Sequence, residues 1–389
     1  MGIKQTIKTA VIDWQSNYFL LLRRKSETNK FRDPRRVKIA ESFPLSKEQR
    51  EQIDQLYMEN YGEKVDYVWH QNYAAHAGHF DYRFIPELLY IPEFESFQNQ
   101  NNAAVRMMSD KNFLPLVAKA AGVRMPRTIV SCTNGLLRDG ESNIITPVLA
   151  DELVRKQGSF FVKPSVDSCS GQGCMRVDDA DVCNFNGNAL TFRDLSGGGY
   201  FRNYVCQELV TCHDSIRKIY SGSVNTFRVI SYLWHDKVEL MPIIIRIGQG
   251  GKYLDNAHAG GMFCAVYDDG RMGSHAVTEF NDQFTEHPDT HLIFANHRIE
   301  YLYKITAAAK KMHSMIPQIG VINWDFTINE KGEAVLIESN VKSGSVWLPQ
   351  MAHGTGPFFD KTEEVLQWLR FMKCLKPHER CHFVGGWTK

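Results

Sequence analysis

The chain has 389 residues, 43% of them hydrophobic, and a net charge of +1. That composition excludes a disordered polymer and gives no general case for nucleic-acid or membrane electrostatics. No apolar run approaches bilayer-spanning length, and the N-terminus shows no signal-peptide block. The fit of Gly2 and Thr6 to a myristoylation pattern is loose enough to arise by chance. Nine cysteines without a C-x-x-C spacing point to reduced thiols and a cytoplasmic location.

In chain order, Arg23–Arg36 reads as a basic, solvated helix face or loop. Ser46-Lys47-Glu48-Gln49 is a capping box that predicts a helix to Asn60. Tyr61–Phe94 gathers aromatics and histidines, as an irregular aromatic core or as an acceptor-binding wall. A helix is predicted from near Ser109 to Gly122, with Pro115 tolerable in its first turns. Arg127–Cys132 reads as a strand, and Thr146–Gln157 as a helix feeding a strand that ends at Lys163. Ala189–Arg193, Tyr204–Val210, Val224–Trp234, Val238–Ile247 and Gly261–Tyr267 read as further strands. Asn296–Ile316 is a predicted helix. Thr362–Leu375 is a predicted amphipathic helix capped by Asp360 and Glu363. Mixed strands and helices make the class α+β or α/β.

Two stretches carry chemistry. The first is Lys163 and the small-residue loop after it, with Ser168, Ser170, Gly171 and Gly173. Such a loop can lay N–H groups over phosphates while the lysine adds a point charge. The bland alternative is a snorkelling lysine at a strand end. It is not a Walker loop, because Gly248–Tyr253 fails the spacing. The second stretch is the hairpin Ile322–Ile328 and Val335–Asn340 around the turn Asn329–Glu333. Asp325, Glu338 and Asn340 would meet on adjacent strands as hard oxygen donors suited to Mg²⁺, unless they form a solvated hairpin edge.

Arg246 ends the apolar run Pro242–Ile245 and needs an anion if buried. The partner is a ligand, or an acid such as Asp255. His258 could deprotonate an amine or be plain surface. Asn225 and Thr226 could orient a substrate or cap a strand turn. Lys111 could meet phosphate or pair with Asp110 at a helix cap.

The order Asp110-Lys111, Lys163 with its loop, Gln207-Glu208-Leu209-Val210, Asp325, then Glu338-x-Asn340 resembles the ATP-grasp superfamily. Ser223–Val229, Arg246-Ile247-Gly248, Asp255-Asn256 and Gly260-Gly261 look like its sugar-transfer-associated family. The resemblance covers about residues 80–355 and implies an α+β ATP-grasp fold, with a nucleotide clamped between two α+β subdomains. Expected regions are 1–105, a possible acceptor-binding region; 106–210, the small lobe with the phosphate loop; and 211–389, the large lobe with the metal site. Lys111 and Lys163 would contact ATP phosphates. Gln207, Glu208, Leu209 and Val210 would form the adenine hinge. Asp325, Glu338 and Asn340 would hold Mg²⁺. Asn225, Thr226, Asp255, Asn256 and Ser343 would lie on the substrate side. Ser343-Gly344 resembles a small-residue turn of the D-alanine–D-alanine ligases. Those ligases carry Arg where this chain has Asn323, which leaves the transferring phosphate to Arg228 or Arg246.

The implied activity is ATP-dependent carboxylate–amine ligation through an acyl phosphate. The small-molecule carboxylate and amine could be sugar-linked, as in polysaccharide assembly. A phosphotransferase and a nucleotide-binding protein without turnover are the alternatives. Neither nucleic-acid binding nor a membrane span is expected.

Overall fold

The N-terminal third is helical. A 28-residue helix, α1 (Ile3–Lys30), leads into α2 (Pro34–Glu41), α3 (Lys47–Asn60) and α4 (Val68–Ala77). The computed structural model describes residues 3–100, 102–166, 173–178, 183–185, 188–190 and 203–388. The capping box of α3 is formed: Gln49 N donates to Ser46 Oγ at 3.2 Å, and Ser46 N to Gln49 Oε1 at 2.8 Å.

The strands are β1 (Thr128–Thr133), β2 (Leu136–Asp139), β3 (Phe160–Pro164), β4 (Met175–Val177), β5 (Cys183–Phe185), β6 (Asn188–Leu190) and β7 (Asn203–Glu208). They continue with β8 (Phe227–Trp234), β9 (Lys237–Leu240), β10 (Ile243–Ile247), β11 (Met262–Val266), β12 (Met272–Val277), β13 (Gln283–Phe284), β14 (Val321–Ile328) and β15 (Ala334–Asn340). One sheet runs β2-β1-β7-β3-β4. A larger one runs β13-β12-β11-β10-β8-β14-β15, with β9 paired to β8. β5 and β6 form a small separate hairpin.

β14 is buried along its whole length, as a central strand covered on both faces should be. One face packs on the helix Leu302–Ser314, in a core with Ile305, Ala309 and Met312. On the other side of the sheet, N-terminal residues Tyr57, Tyr90 and Phe94 share a core with Ile230, Tyr232, Val321 and Trp368.

Several expectations change. The 23–36 run is helical and mostly exposed, as expected of a solvated face, but two of its arginines are engaged. Arg24 pairs with buried Glu93, and Arg36 is buried against Glu279 at 2.6 Å. Of the two readings of Tyr61–Phe94, the aromatic core is the one formed: Trp69, Tyr73, Phe84 and Tyr90 are all 2% exposed or less, while Tyr82 is exposed. The helix predicted from Ser109 starts at Leu114, because Asp110 Oδ1 accepts from Asn112 N at 2.9 Å and holds a turn first. Val238–Ile247 is two strands, broken at Met241-Pro242, since proline cannot donate to a ladder. The helix predicted from Asn296 begins at Leu302. The C-terminal helix Thr362–Cys374 has Lys361 at its N-cap and no side-chain cap, so the predicted capping by Asp360 and Glu363 is not made. Of the predicted strand 189–193, only the portion in β6 lies within the described residues.

Candidate active site

Strands β3, β4 and β7 face β8, β10, β14 and β15 across a cleft of about 820 Å³. The N-terminal helices close its far end through Lys30, Arg36 and Glu87.

Lys163 crosses this cleft. It lies next to the end of β3 in one sheet, is 5% exposed, and donates from Nζ to the Ile337 carbonyl of β15 in the other at 3.2 Å. Burial lowers its pKa, although neighbouring Glu338 works against that shift. A buried ammonium with one carbonyl partner among the described residues is well placed to receive a further anion. Lys111 Nζ lies 3.8 Å from Glu338 Oε2.

The hairpin register sets Asp325 opposite Glu338 on β15 and opposite Arg228 on β8. Asn340 lies two residues beyond Glu338, on the same face of its strand. Its Nδ2 donates to Glu338 Oε1 at 3.2 Å and to Asp325 Oδ2 at 3.4 Å. The three expected metal ligands are therefore gathered, but they are not equivalent. Asp325 is fully buried, and both its oxygens serve guanidiniums. Oδ1 accepts from Arg228 Nε at 2.6 Å; Oδ2 accepts from Arg228 Nη2 at 3.2 Å and lies 3.1 Å from Arg246 Nη2. Burial pushes its carboxyl up, but the two arginines outweigh burial and hold it below the usual range. Glu338 and the Asn340 amide oxygen are the hard donors left to the cleft.

Among the described residues no group of three or more His, Cys, Asp or Glu could hold a metal. The hard oxygens of Glu338 and Asn340 would suit a Mg²⁺ that takes one carboxylate, one amide oxygen and substrate phosphates.

The network continues behind Asp325. Arg246 donates to Thr226 Oγ1 at 2.6 Å from Nη2 and at 3.0 Å from Nε. Asp255 accepts from Thr226 N at 2.8 Å and Oγ1 at 2.5 Å, and lies 3.8 Å from Arg246. Burial raises the Asp255 carboxyl against the pull of Arg246. Of the two readings of Arg246, the acid pairing is formed, with Asp325 and Asp255 both, while its side chain still lines the cleft.

At the far end, the expected candidate His258 meets groups that no motif marked. His258 Nδ1 sits 2.6 Å from Glu279 Oε2, whose other oxygen holds Arg36. The imidazole is thus oriented by a carboxylate, as a general base requires. Buried Glu95 accepts the backbone N–H groups of Ser343 at 2.7 Å and Gly344 at 2.6 Å, fixing the turn after β15. Ser343 has φ +55°, and a Cβ on Gly344 would press on Asn323 and Glu95, so the small-residue turn is a steric requirement. Ser345 Oγ takes the remaining Arg228 contact at 3.3 Å. Glu95, Glu279 and Arg36 were illegible because each acts through a partner distant in sequence.

At the hinge, Glu208, Leu209 and Val210 line the cleft. The backbones of Leu209 and Val210 have no backbone partner among the described residues. Gln207 is tied to the Pro126 carbonyl at 3.3 Å, and Glu208 Oε1 accepts from Arg127 N at 3.0 Å. Asn256 lines the cleft and caps the short 3₁₀ turn that carries His258.

Asn225 does not reach the cleft. It is fully buried and ties the Tyr220 carbonyl at 2.7 Å to Gly248 N at 3.3 Å, so its expected substrate contact is replaced by a turn-holding role. Gly173 has φ +72°, as a glycine turn needs. Ser168, Ser170 and Gly171 lie outside the described residues. Cys174, at the loop's end, lines the cleft, and burial pushes its thiol up.

Comparison with solved structures finds similar folds at low identity. Carboxyaminoimidazole ribonucleotide synthase from Aspergillus clavatus, complexed with ATP, is 13% identical over 62% of this chain and 47% of its own, with a TM-score of 0.40. L-Amino acid ligase from Bacillus licheniformis is 12% identical over 69% and 48%, with a TM-score of 0.38. D-Alanyl-alanine synthetase A from Vibrio cholerae is 14% identical over 68% and 66%, also at 0.38. The chain thus spans about half the length of the first two. Comparison with curated proteins finds no match. A family model described as sugar-transfer associated ATP-grasp matches residues 92–365. That span takes in well over half of the chain and both walls of the cleft, and this chain belongs to the sugar-transfer associated ATP-grasp family, with the α+β ATP-grasp fold.

Proposed function

We propose that the protein is an ATP-dependent carboxylate–amine ligase that works through an acyl phosphate. The observation that carries this reading is the reach of Lys163 across the cleft to β15, beside Glu338 and Asn340. A cation from one sheet and hard oxygen donors from the other then flank one triphosphate position. Lys163 and Lys111 would bind phosphate oxygens, and Leu209 and Val210 would read the adenine edge with their backbone groups. Glu338 and Asn340 would hold Mg²⁺, with Asp325 behind them positioning Asn340. The metal would supply charge neutralisation between phosphates.

Phosphoryl transfer needs positioning and electrostatics more than covalent help. Arg228 and Arg246, locked on Asp325, present a rigid cationic floor where charge develops on the transferring group. Asp255 and Thr226 hold that floor, and Asn256 and Ser343 line the acceptor side. His258, oriented by Glu279, would take the proton of the attacking amine through Nε2. An oriented base would also serve a phosphotransferase acting on a hydroxyl, so the two readings separate on whether the product needs an amine. A sugar-linked substrate, as in polysaccharide assembly, rests on the family's description.

The test is nucleotide turnover with a panel of amino acids, amino sugars and uronic acids. ADP and phosphate should appear in equal amounts, only when carboxylate and amine are both present. AMP formation, or a phosphorylated product made without amine, would overturn the reading.

A further inference from the structure

α1 is amphipathic the wrong way round. Asp13, Arg23, Arg24 and Glu27 lie on its protein-facing side and tie it down with polar contacts. Asp13 accepts from His378 N at 2.9 Å, Arg23 donates to Ser96 Oγ at 2.6 Å, and Arg24 pairs with Glu93. The opposite side is apolar. Ile7, Val11, Trp14, Tyr18, Leu21 and Leu22 are each between 44% and 66% exposed. Apart from Leu22, they recur at gaps of four and three, which puts them on one stripe of a 3.6-residue helix. Trp14 and Tyr18 stack on that stripe, with ring centroids 5.6 Å apart and planes at 7°. Soluble proteins rarely leave such a contiguous apolar stripe uncovered.

Charge identifies the cover. α1 carries Lys4, Lys8, Arg23, Arg24, Lys25 and Lys30 against Asp13 and Glu27; Arg23 and Arg24 face the protein and Lys30 is paired with Glu27, so the exposed charges beside the stripe are the cations Lys8 and Lys25. Both acids are engaged, Asp13 by His378 and Glu27 by Lys30 at 2.6 Å. Lys8 and Lys25 are exposed. An apolar stripe with two rings of amphipathic aromatics, flanked by cations and no free acid, is complementary to an anionic bilayer surface. A second copy of the helix would bring cation against cation. No helix among the described residues is long and apolar enough to cross a membrane, so contact would be along the surface.

We propose that α1 docks the protein on an anionic lipid bilayer, lying in its interface with Ile7, Val11, Trp14, Tyr18, Leu21 and Leu22 inserted. Lys30 ends α1 and lines the cleft, so docking brings the far end of the cleft close to the lipid surface.

Flotation of the full chain with phosphatidylcholine vesicles, with and without phosphatidylglycerol, tests this. Wild type should float with the phosphatidylglycerol vesicles and lose binding as salt rises. Trp14→Ser/Leu21→Ser should weaken that binding about tenfold or more. Lys8→Glu/Lys25→Glu should weaken it on the anionic vesicles alone. Both variants change outward side chains, so their unfolding midpoints should match wild type. Failure of wild type to float, or equal flotation of Trp14→Ser/Leu21→Ser, would overturn the proposal. So would a dimer in sedimentation that the same pair of substitutions dissociates.

Discussion

On the cleft face of β14, buried Asp325 holds Arg228 and Arg246. On the opposite face of the same strand, Trp324 starts a chain of neutral hydrogen bonds. Trp324 Nε1 donates to Ser231 Oγ at 2.7 Å, Ser231 meets His313 Nδ1 at 2.6 Å, and His313 Nε2 meets the Ile319 carbonyl at 2.8 Å. Both systems put polar atoms in a dry core. The ionic one keeps formal charge where a charged ligand can use it. The neutral one satisfies every partner and leaves nothing over. The difference teaches that the two faces of one strand solve the burial of polar atoms differently, with formal charge kept only on the side that lines the cleft.

The comparison breaks most visibly at Asp325. Asp325→Ala leaves two buried guanidiniums facing each other, and loss of one partner of a buried ion pair costs about 3–5 kcal/mol. The denaturation midpoint should fall accordingly. Asp325→Asn, which removes the charge that both arginines pair with, should also lose stability. If both variants unfold like wild type, the arginines are held by something else.

The second test is acid. Burial lowers the His313 pKa from 6.5 to about 4. Between those values the unfolded chain takes up a proton that the folded chain refuses, so stability falls as pH drops through that window and levels below it. One such histidine accounts for about 3 kcal/mol. A urea series from pH 7 to pH 4 on wild type and His313→Gln should show a flatter dependence for the variant. An equal slope would assign the acid sensitivity to other groups.

What was legible follows from the same physics. The hairpin with Asp325, Glu338 and Asn340 could be read because strand periodicity and a polar turn fix its register locally. Lys163 could be read because a lysine closing an apolar strand before a small-residue loop is unusual. The partners of those residues could not. Asp325 looks like a metal ligand until Arg228 and Arg246 are folded onto it, and Asn225 looks like a substrate contact until the 216–223 turn wraps it. α1 was missed because its apolar residues face outward and its polar ones inward, so a core-facing stripe misleads. The Tyr61–Phe94 core was hard to place because its short helices show little amphipathic period.

A smaller effect should come from Trp324→Phe. It removes the indole donor while keeping most of the buried ring, and it leaves Ser231 with one contact fewer. The expected loss is about 1–3 kcal/mol, with ADP release unchanged. A variant that loses turnover at wild-type stability would mean that the neutral side of β14 also communicates with the cleft.

The least destabilising change should be at Lys163, although it is as buried as the others. Its ammonium is desolvated, its pKa is lowered by that burial, and among the described residues it donates to one carbonyl, that of Ile337. A charge in that state adds little to the apo fold, because desolvation offsets what the contact returns. Lys163→Met should therefore unfold within about 1 kcal/mol of wild type while losing the ATP-induced rise in melting temperature, as removal of a charge-assisted phosphate contact of about 1.5–3 kcal/mol implies. If Lys163→Met instead destabilised the apo protein as much as Trp324→Phe, the lysine would be part of the fold's own satisfied network. The contrast between the two faces of β14 would then not extend across the cleft.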